Sequence, residues 1–299
     1  MRKQRRRRSR ALVGIVAAAT ALGVAGCDVV GDSSGSPDGG RTRASRAVQL
    51  WDRSPASIAA VGDSITRGFD ACTVLSDCPE VSWATGTSEQ VESLAVRLLG
   101  RARAADRSWN YAQTGARMAD LSGQLADAVV RRPELVTVMV GSNDACRSSV
   151  RAMTSVANFR SQFEEALGTL RKALPKTQVY VASVPNLKRL WSEGRTNPLG
   201  KQIWKLGICP SMLGDADDLT SAATLRRDRV QQRVEDYNKV LAEVCAKDRR
   251  CRFDGGAVYQ YRFGTEQLSH WDWFHPSTDG QSKLAAIAYR TVTAEGPVD

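Results

Sequence analysis

Four short polar blocks in this 299-residue chain could carry out nucleophilic chemistry. In chain order they are GDSIT at 62–66, NYAQTG at 110–115, GSND at 141–144 and DWFHP at 272–276. A serine hydroxyl is a weak nucleophile until a base removes its proton, and His275 is one of only two histidines that could do this for Ser64. Asp272 lies close enough in the chain to accept a hydrogen bond from the ring of His275 and set its tautomer. These three side chains could therefore activate Ser64 for attack on a carbonyl carbon.

Each of these residues also has a purely structural interpretation. Ser64 could cap a helix, Gly115 could be a turn glycine, and Asn143 could form a turn with its own backbone. Asp272 could cap a turn, and His275 could be a structural histidine. Only the joint pattern favours chemistry over structure.

The elements that would position the blocks can be read from the apolar pattern. The predicted strands are 57–61, 109–112, 135–140 and 178–184, and the predicted helices are 89–103, 118–131, 156–174, 225–246 and 278–291. Strands that alternate with helices predict an α/β domain with a parallel sheet covered on both faces. Because sites in such sheets lie beyond the carboxyl ends of the strands, the polar blocks fall where a site is expected.

The four blocks, in this order, resemble the SGNH (GDSL-type) hydrolase superfamily from about residue 57 to 290, and GDSITRGFDAC around Ser64 resembles secreted actinobacterial members. The resemblance implies a three-layer α/β/α sandwich with a central, mostly parallel sheet of the flavodoxin-like type. It implies an ester hydrolase with an acyl-enzyme intermediate, in which Ser64 is the nucleophile, His275 the base and Asp272 its orienting partner. It also implies an oxyanion hole formed by the backbone N–H groups of Ser64 and Gly115 and the side-chain amide of Asn143. No metal and no cofactor are expected.

Three further residues are assigned structural places. We interpret Asp63 and Asp144 as residues that hold the loops around the site, and we place His270 in a surface loop because it falls outside the blocks. A second GDS, which ends at Ser33, is not expected to be a nucleophile, because no strand precedes it and no helix follows it.

The start of the chain is typical of an export signal. Residues 1–26 combine a basic start with a short apolar run and small residues. The sequence VAG before Cys27 resembles the lipobox of bacterial lipoproteins, so we expect cleavage there and lipidation of Cys27. An ordinary signal cleavage that leaves a free thiol, and a single anchoring helix, are the alternatives. Residues 27–47 predict the anchor and a flexible linker, and 48–299 the hydrolase domain. The expected location is the extracellular face of the membrane, through the lipid anchor, or the medium.

The cysteine count agrees with export. Without Cys27 six cysteines remain, and an even number in an exported protein suggests three disulfides. The count alone does not define the pairing, and reduced buried thiols are the alternative. Cys72–Cys78 and Cys245–Cys251 are close in the chain; if both form, Cys146–Cys209 remains.

The charge excludes one class of partner. The formal net charge is +10, but residues 1–26 supply +7 of it and leave about +3. We therefore expect no nucleic-acid partner. The expected partner is an acyl-ester substrate, and the chain is expected to be a monomer.

The substrate is not defined by the sequence. An esterase or lipase is favoured, and a carbohydrate or cell-wall O-acetyl esterase is the alternative enzyme; a lipoprotein that only binds ligands is the alternative of another class. Segment 185–220, with Trp191 and Trp204, is expected to be mostly irregular and to form a wall of an acyl-binding surface. Segment 72–87, with Trp83, is a second candidate wall. A hydrophobic cluster under a loop is the alternative.

Overall fold

The structure is a computed structural model that describes residues 51–297. The predicted signal peptide 1–26, the predicted anchor at Cys27 and the linker to 47 lie outside the described residues. The strands are β1 (Ile58–Gly62), β2 (Ser108–Asn110), β3 (Leu135–Met139), β4 (Gln178–Val181) and β5 (Cys251–Phe253). The helices are α1 (Ser64–Arg67), α2 (Leu94–Leu99), α3 (Arg101–Arg107), α4 (Leu121–Val129), α5 (Ser142–Ala145), α6 (Val156–Ala173), α7 (Leu187–Gly194), α8 (Pro198–Trp204), α9 (Pro210–Leu213), α10 (Ser221–Ala246), α11 (Ala257–Gln260) and α12 (Thr278–Thr293). Short 3-10 turns lie at Pro79–Val81, Met118–Asp120, Val150–Ala152 and Thr265–Gln267.

The five strands form one parallel sheet in the order β2-β1-β3-β4-β5. This is the flavodoxin-like order, which confirms the predicted fold class. Every residue of β1, β3 and β4 is buried. Since successive side chains of a strand point to opposite faces, both faces of the sheet are covered. Helix α6 packs against both α4 and α10, and helix α2 packs against both α3 and α12.

The predicted helix at 89–103 is wrong in its extent. Helix α2 begins only after Ser93, whose hydroxyl accepts a hydrogen bond from the N–H of Val96 at 3.2 Å. It ends at Gly100, where φ is +77°, and α3 begins directly afterwards. Positive φ is readily adopted by glycine, so a single continuous amphipathic pattern becomes two helices.

The prediction that segment 185–220 is mostly irregular is also wrong, because the segment contains α7, α8 and α9. Asn186 and Asn197 cap the first two helices with their side-chain oxygens, and proline occupies the first position of α8 and α9. Trp191, Trp204 and Trp83 are buried in the hydrophobic core. These tryptophans therefore belong to a buried hydrophobic cluster, which was the alternative interpretation.

Three disulfides link the six cysteines of the described region, in the pairs Cys72–Cys78, Cys146–Cys209 and Cys245–Cys251. Cys146 directly follows α5 and Cys209 directly precedes α9, so this bond attaches α9 to the third polar block. Within residues 51–297, no helix combines the length and apolar character needed to cross a membrane.

Candidate active site

Ser64 lies at a tight turn between β1 and α1. Gly62 ends the strand with φ at +148°, and a Cβ there would collide with the carbonyl oxygen of Met139 on the neighbouring strand. The side chain of Gln124 fixes this strand end, since its amide oxygen accepts from the N–H of Gly62 at 2.7 Å and its amide nitrogen donates to the Gly62 carbonyl at 2.9 Å. Ser64 is therefore held as the first residue of α1, at the carboxyl edge of the sheet.

Asp63, and not Ser64, caps this helix. Oδ1 of Asp63 accepts a hydrogen bond from the N–H of Ile65 at 3.0 Å, so the alternative of Ser64 as a cap is wrong. The other oxygen, Oδ2, is buried and has no hydrogen-bond partner among residues 51–297. Burial is the main reason that the pKa of Asp63 is raised to about 7, because the charged form loses its solvation.

The hydroxyl of Ser64 meets the ring of His275, which comes from the loop before α12. Ser64 Oγ and His275 Nε2 are 2.9 Å apart, and His275 Nδ1 and Asp272 Oδ2 are 2.5 Å apart. Oδ1 of Asp272 also accepts from the backbone N–H of Phe274 and of His275, both at 2.9 Å. The structure thus brings the serine, histidine and aspartate of the first and last blocks into one hydrogen-bonded chain.

The electrostatic environment of these three residues makes the imidazole of His275 more basic. Burial by itself lowers the pKa of His275, but the negative charge of Asp272 and its hydrogen bond outweigh burial and raise that pKa above its usual range. Burial likewise opposes ionisation of Asp272, yet His275 and the two backbone N–H donors hold the pKa of Asp272 below its usual range. The arrangement can accept a proton from Ser64 and stabilise the resulting imidazolium.

The loop that carries His275 is held by specific contacts. Trp204 donates its indole N–H to the backbone carbonyl of Asp272 at 2.7 Å. The rings of Phe69 and Phe274 lie 5.0 and 5.3 Å from the ring of His275, measured between centroids. These contacts restrict the rotation of the imidazole, which remains 11% exposed at its side chain.

Free N–H donors lie on the segments that follow β1, β2 and β3. Within residues 51–297, the backbone N–H groups of Ser64 and Gly115 donate to no protein acceptor. Gly115 has φ at +84°, a conformation that favours glycine. Asn143 gives one hydrogen of its side-chain amide to the carbonyl of Ala116 at 3.0 Å, which orients the amide and leaves its second hydrogen available.

Asp144 has a structural role in this arrangement. Its carboxylate accepts from the N–H of Met118 at 2.9 Å and from the hydroxyl of Thr154 at 2.7 Å. It therefore ties the loop after β2 to the loop after α5. His270 is exposed in a turn, as predicted, and its ring is tilted by 40° against the ring of Trp271.

Two contributors to the site were not found in the sequence. Gln124 lies inside α4, far along the chain from the Gly62 turn that it fixes, and nothing in the pattern marks it. Asp70 is fully buried next to Asp272 and His275. Its only sequence signal was its place in the stretch GDSITRGFDAC, where it carried no assigned role.

Asp70, Asp272 and His275 each have a possible metal-ligating atom within 4.8 Å of the other two. Both ring nitrogens of His275, however, are already hydrogen-bonded, one to Ser64 and one to Asp272. The ring has no free ligand position in this arrangement, so we assign no metal to it.

Comparison with known families places the chain among ester hydrolases. Residues 58–288 match the family model described as GDSL-like Lipase/Acylhydrolase. The match covers all four polar blocks and every strand. A search of the curated proteins finds no match.

Solved structures with related folds include three from different sources. An extracellular lipase from Streptomyces rimosus is 20% identical, with 80% of this chain and 99% of that chain covered and a TM-score of 0.46. A lipase from a goat rumen metagenome is 14% identical over 77% of this chain and 94% of that chain, with a TM-score of 0.49. A family 3 carbohydrate esterase from Clostridium thermocellum is 15% identical over 78% and 93%, with a TM-score of 0.45. Their names include both lipases and a carbohydrate esterase, so the comparison does not select a substrate for this chain.

Proposed function

Since this chain belongs to the GDSL-like lipase/acylhydrolase family and is a carboxylic ester hydrolase, we propose that it is an exported serine esterase or lipase that uses Ser64, His275 and Asp272 as a triad. The observation that carries this proposal is the pair of hydrogen bonds that links Ser64 Oγ to the His275 ring and the His275 ring to the Asp272 carboxylate. Nucleophile, base and orienting group each lie within hydrogen-bond distance of the next.

In the first half of the reaction, Ser64 Oγ attacks the carbonyl carbon of the ester while Nε2 of His275 takes the hydroxyl proton. Asp272 accepts from Nδ1–H and stabilises the positive charge that develops on the ring. His275 then gives the proton to the leaving alkoxide, the C–O ester bond breaks, and the acyl group remains on Ser64.

In the second half, water attacks the acyl-enzyme. His275 takes a proton from the water and returns it to Ser64 Oγ as the carboxylic acid leaves. The base and the hydroxyl are regenerated, so the cycle needs no group from outside the chain and water.

The negative charge on the carbonyl oxygen in both halves needs fixed donors. The backbone N–H groups of Ser64 and Gly115 and the amide of Asn143 are assigned to this task, because all three donors lie at the carboxyl edge of the sheet and have a hydrogen available. One such donor typically contributes about 3–4 kcal/mol to lowering the barrier.

We further propose that the mature chain begins at Cys27, which holds the enzyme on the outer face of the membrane through a lipid. Three disulfides in the described region favour an oxidising compartment. Mass spectrometry of the mature N-terminus tests this: an unmodified Cys27, or cleavage elsewhere, would contradict it.

The decisive experiment for the triad is labelling of the purified mature chain with a fluorophosphonate, followed by peptide mass spectrometry. We expect the label on Ser64 and its loss in Ser64→Ala and His275→Ala. Ser33→Ala is the matched control, because Ser33 also follows a Gly-Asp pair, and it should label as the wild type does. An unlabelled but folded wild-type chain would refute the triad and favour a ligand-binding lipoprotein.

The substrate class is tested separately. Rates on p-nitrophenyl esters of increasing acyl length are compared with acetate release from acetylated polysaccharides. A preference for longer acyl chains supports the esterase or lipase assignment. Activity confined to acetylated glycans would move the chain to the carbohydrate O-acetyl esterases.

A further inference from the structure

A third carboxyl group lies behind the proposed triad, on the loop that follows α1. Asp70 is 1% exposed, and one polar atom of each of Asp70, Asp272 and His275 is within 4.8 Å of the other two. Oδ1 of Asp70 accepts from the N–H of Leu75, whereas Oδ2 is buried and has no hydrogen-bond partner among residues 51–297. Buried polar atoms in folded proteins almost always have partners, so this oxygen needs a hydrogen-bond partner.

The position of Asp70 is held from several sides. Its backbone N–H donates to the carbonyl of Ser76 at 3.0 Å, and its own carbonyl accepts from the hydroxyl of Ser269 at 2.6 Å. The N–H of Ser269 in turn donates to the carbonyl of His275 at 2.7 Å. Asp70 is thus attached directly to the loop that carries the base.

Two buried carboxylates side by side repel each other strongly, and one shared proton removes that repulsion. The oxygens of Asp272 already accept from two backbone N–H groups and the ring of His275, so this carboxylate has little need of a proton. Asp70 is therefore the carboxyl group of the pair that binds a proton first as pH falls, because burial and then the charge of Asp272 raise its pKa to about 6.

The other charged groups nearby do not supply this neutralisation. Asp63 also acts on His275 but is itself a buried acid. Arg67, the last residue of α1, forms an ion pair with Asp77 at 3.0 Å.

We propose that Asp70 is a positioning residue for the ester hydrolase: its protonated carboxyl group donates a hydrogen bond to Asp272, and its ionised form adds a second negative charge that makes His275 a stronger base. The inference rests on the proposed function, because Asp70 affects the reaction only through Asp272 and His275. With the proton in place, the Asp70–Asp272 pair has one negative charge. When the proton leaves, the second charge makes His275 a stronger base, so the loss of the His275 proton is spread over a wider pH range.

The test is a titration of the histidine rings by NMR in the mature chain labelled with ¹⁵N-histidine. Only His270 and His275 give signals, and His270→Gln identifies the exposed one. Asp70→Asn keeps an oxygen acceptor and gains an N–H donor but has no charge. Asp106→Asn, at an exposed aspartate on α3, is the matched control.

We expect Asp70→Asn to move the His275 titration to lower pH and to make it narrower, with the acid limb of kcat/KM shifted in the same direction. Asp106→Asn should titrate as the wild type does. Asp70→Ser, which also lacks the charge, is the second variant in case Asp70→Asn does not fold, and it should shift His275 in the same direction.

The inference would be overturned if His275 titrated at the same pH and over the same pH range in the wild type and in a folded Asp70 variant. A His275 titration that changes when EDTA is added would also overturn it, because a bound cation would then neutralise the charges of Asp70 and Asp272. The NMR measurement does not require turnover. It therefore separates failure of this inference from failure of the proposed function, which would appear as hydrolysis that persists in Ser64→Ala.

Discussion

Replacing Asp63 with asparagine should make the protein more stable at high pH but not at low pH. The carboxyl group is 1% exposed, and its Oδ2 has no partner among the described residues. Asparagine keeps the oxygen that accepts from the N–H of Ile65 and has nearly the same size. The substitution therefore removes the ionisable group while it preserves the cap of α1.

The magnitude follows from the difference in proton affinity between the folded and unfolded chains. Burial raises the pKa of Asp63 from 3.8 to about 7. Below about pH 4 both states bind the proton, so the carboxyl group has no pH-dependent effect. As pH rises from about 4 to 7 the unfolded chain releases the proton while the folded chain retains it, and stability falls. At about 1.4 kcal/mol per pH unit, the loss is about 4 kcal/mol above pH 7.

The assay is reversible urea unfolding at several pH values with the disulfides intact. The quantity compared is the unfolding free energy of Asp63→Asn minus that of the wild type. This difference should increase by about 4 kcal/mol between about pH 4 and pH 8. Its value at low pH reports only the burial of an amide in place of an acid. Asp106→Asn, at an exposed site, should give no pH-dependent difference.

A constant difference between Asp63→Asn and wild type across this range would refute the reasoning. It would mean that Asp63 ionises in the folded state as easily as in the unfolded chain. A decrease with pH would reverse the sign and indicate that a nearby cation stabilises the charged form.

Three further predictions concern the site and its turn. If Asn143 is the proposed oxyanion donor, Asn143→Ala should lower kcat by about 10²–10³-fold with little change in KM, since a donor of this kind acts mainly in the transition state; steady-state kinetics in which only KM changes would contradict this. Gly62→Ala should destabilise the fold by roughly 3 kcal/mol or more, because the new Cβ meets the Met139 carbonyl at a positive φ. The control Gly123→Ala, inside α4 with open space around it, should be neutral or slightly stabilising in the same denaturant titration. The acid limb of kcat/KM should lie above the usual histidine range, because the raised pKa keeps His275 protonated and unable to act as a base until higher pH; a limb below that range would contradict the assignment.

The apolar runs and the polar blocks that follow them were sufficient to predict the sheet and the edge at which the site lies. Strands β1, β3 and β4 were all predicted, because a strand buried on both faces leaves a nearly continuous apolar run. Strand β5 was missed because its three residues have an arginine at the centre and so leave no apolar run. The helices at 187–213 were missed because their short turns depend on caps and on packing rather than on periodicity.

The residue types in the four blocks, together with their resemblance to a known superfamily, also indicated the proposed nucleophile, base and orienting acid. Each block follows a strand or precedes the last helix, which placed these candidates at one edge of the sheet. What the sequence by itself determined is therefore the kind of chemistry and the edge of the sheet that carries it.

Only the tertiary structure decided which other groups surround that chemistry. Asp70 and Asp272 are 202 positions apart, and they meet because the loop after α1 is hydrogen-bonded to Ser269. Gln124 reaches the Gly62 turn because α4 packs on β1. Such contacts depend on how whole elements pack, whereas local sequence patterns report only which face of an element is buried. For the same reason, the charge environment of His275 follows from the fold and not from its neighbours in the chain.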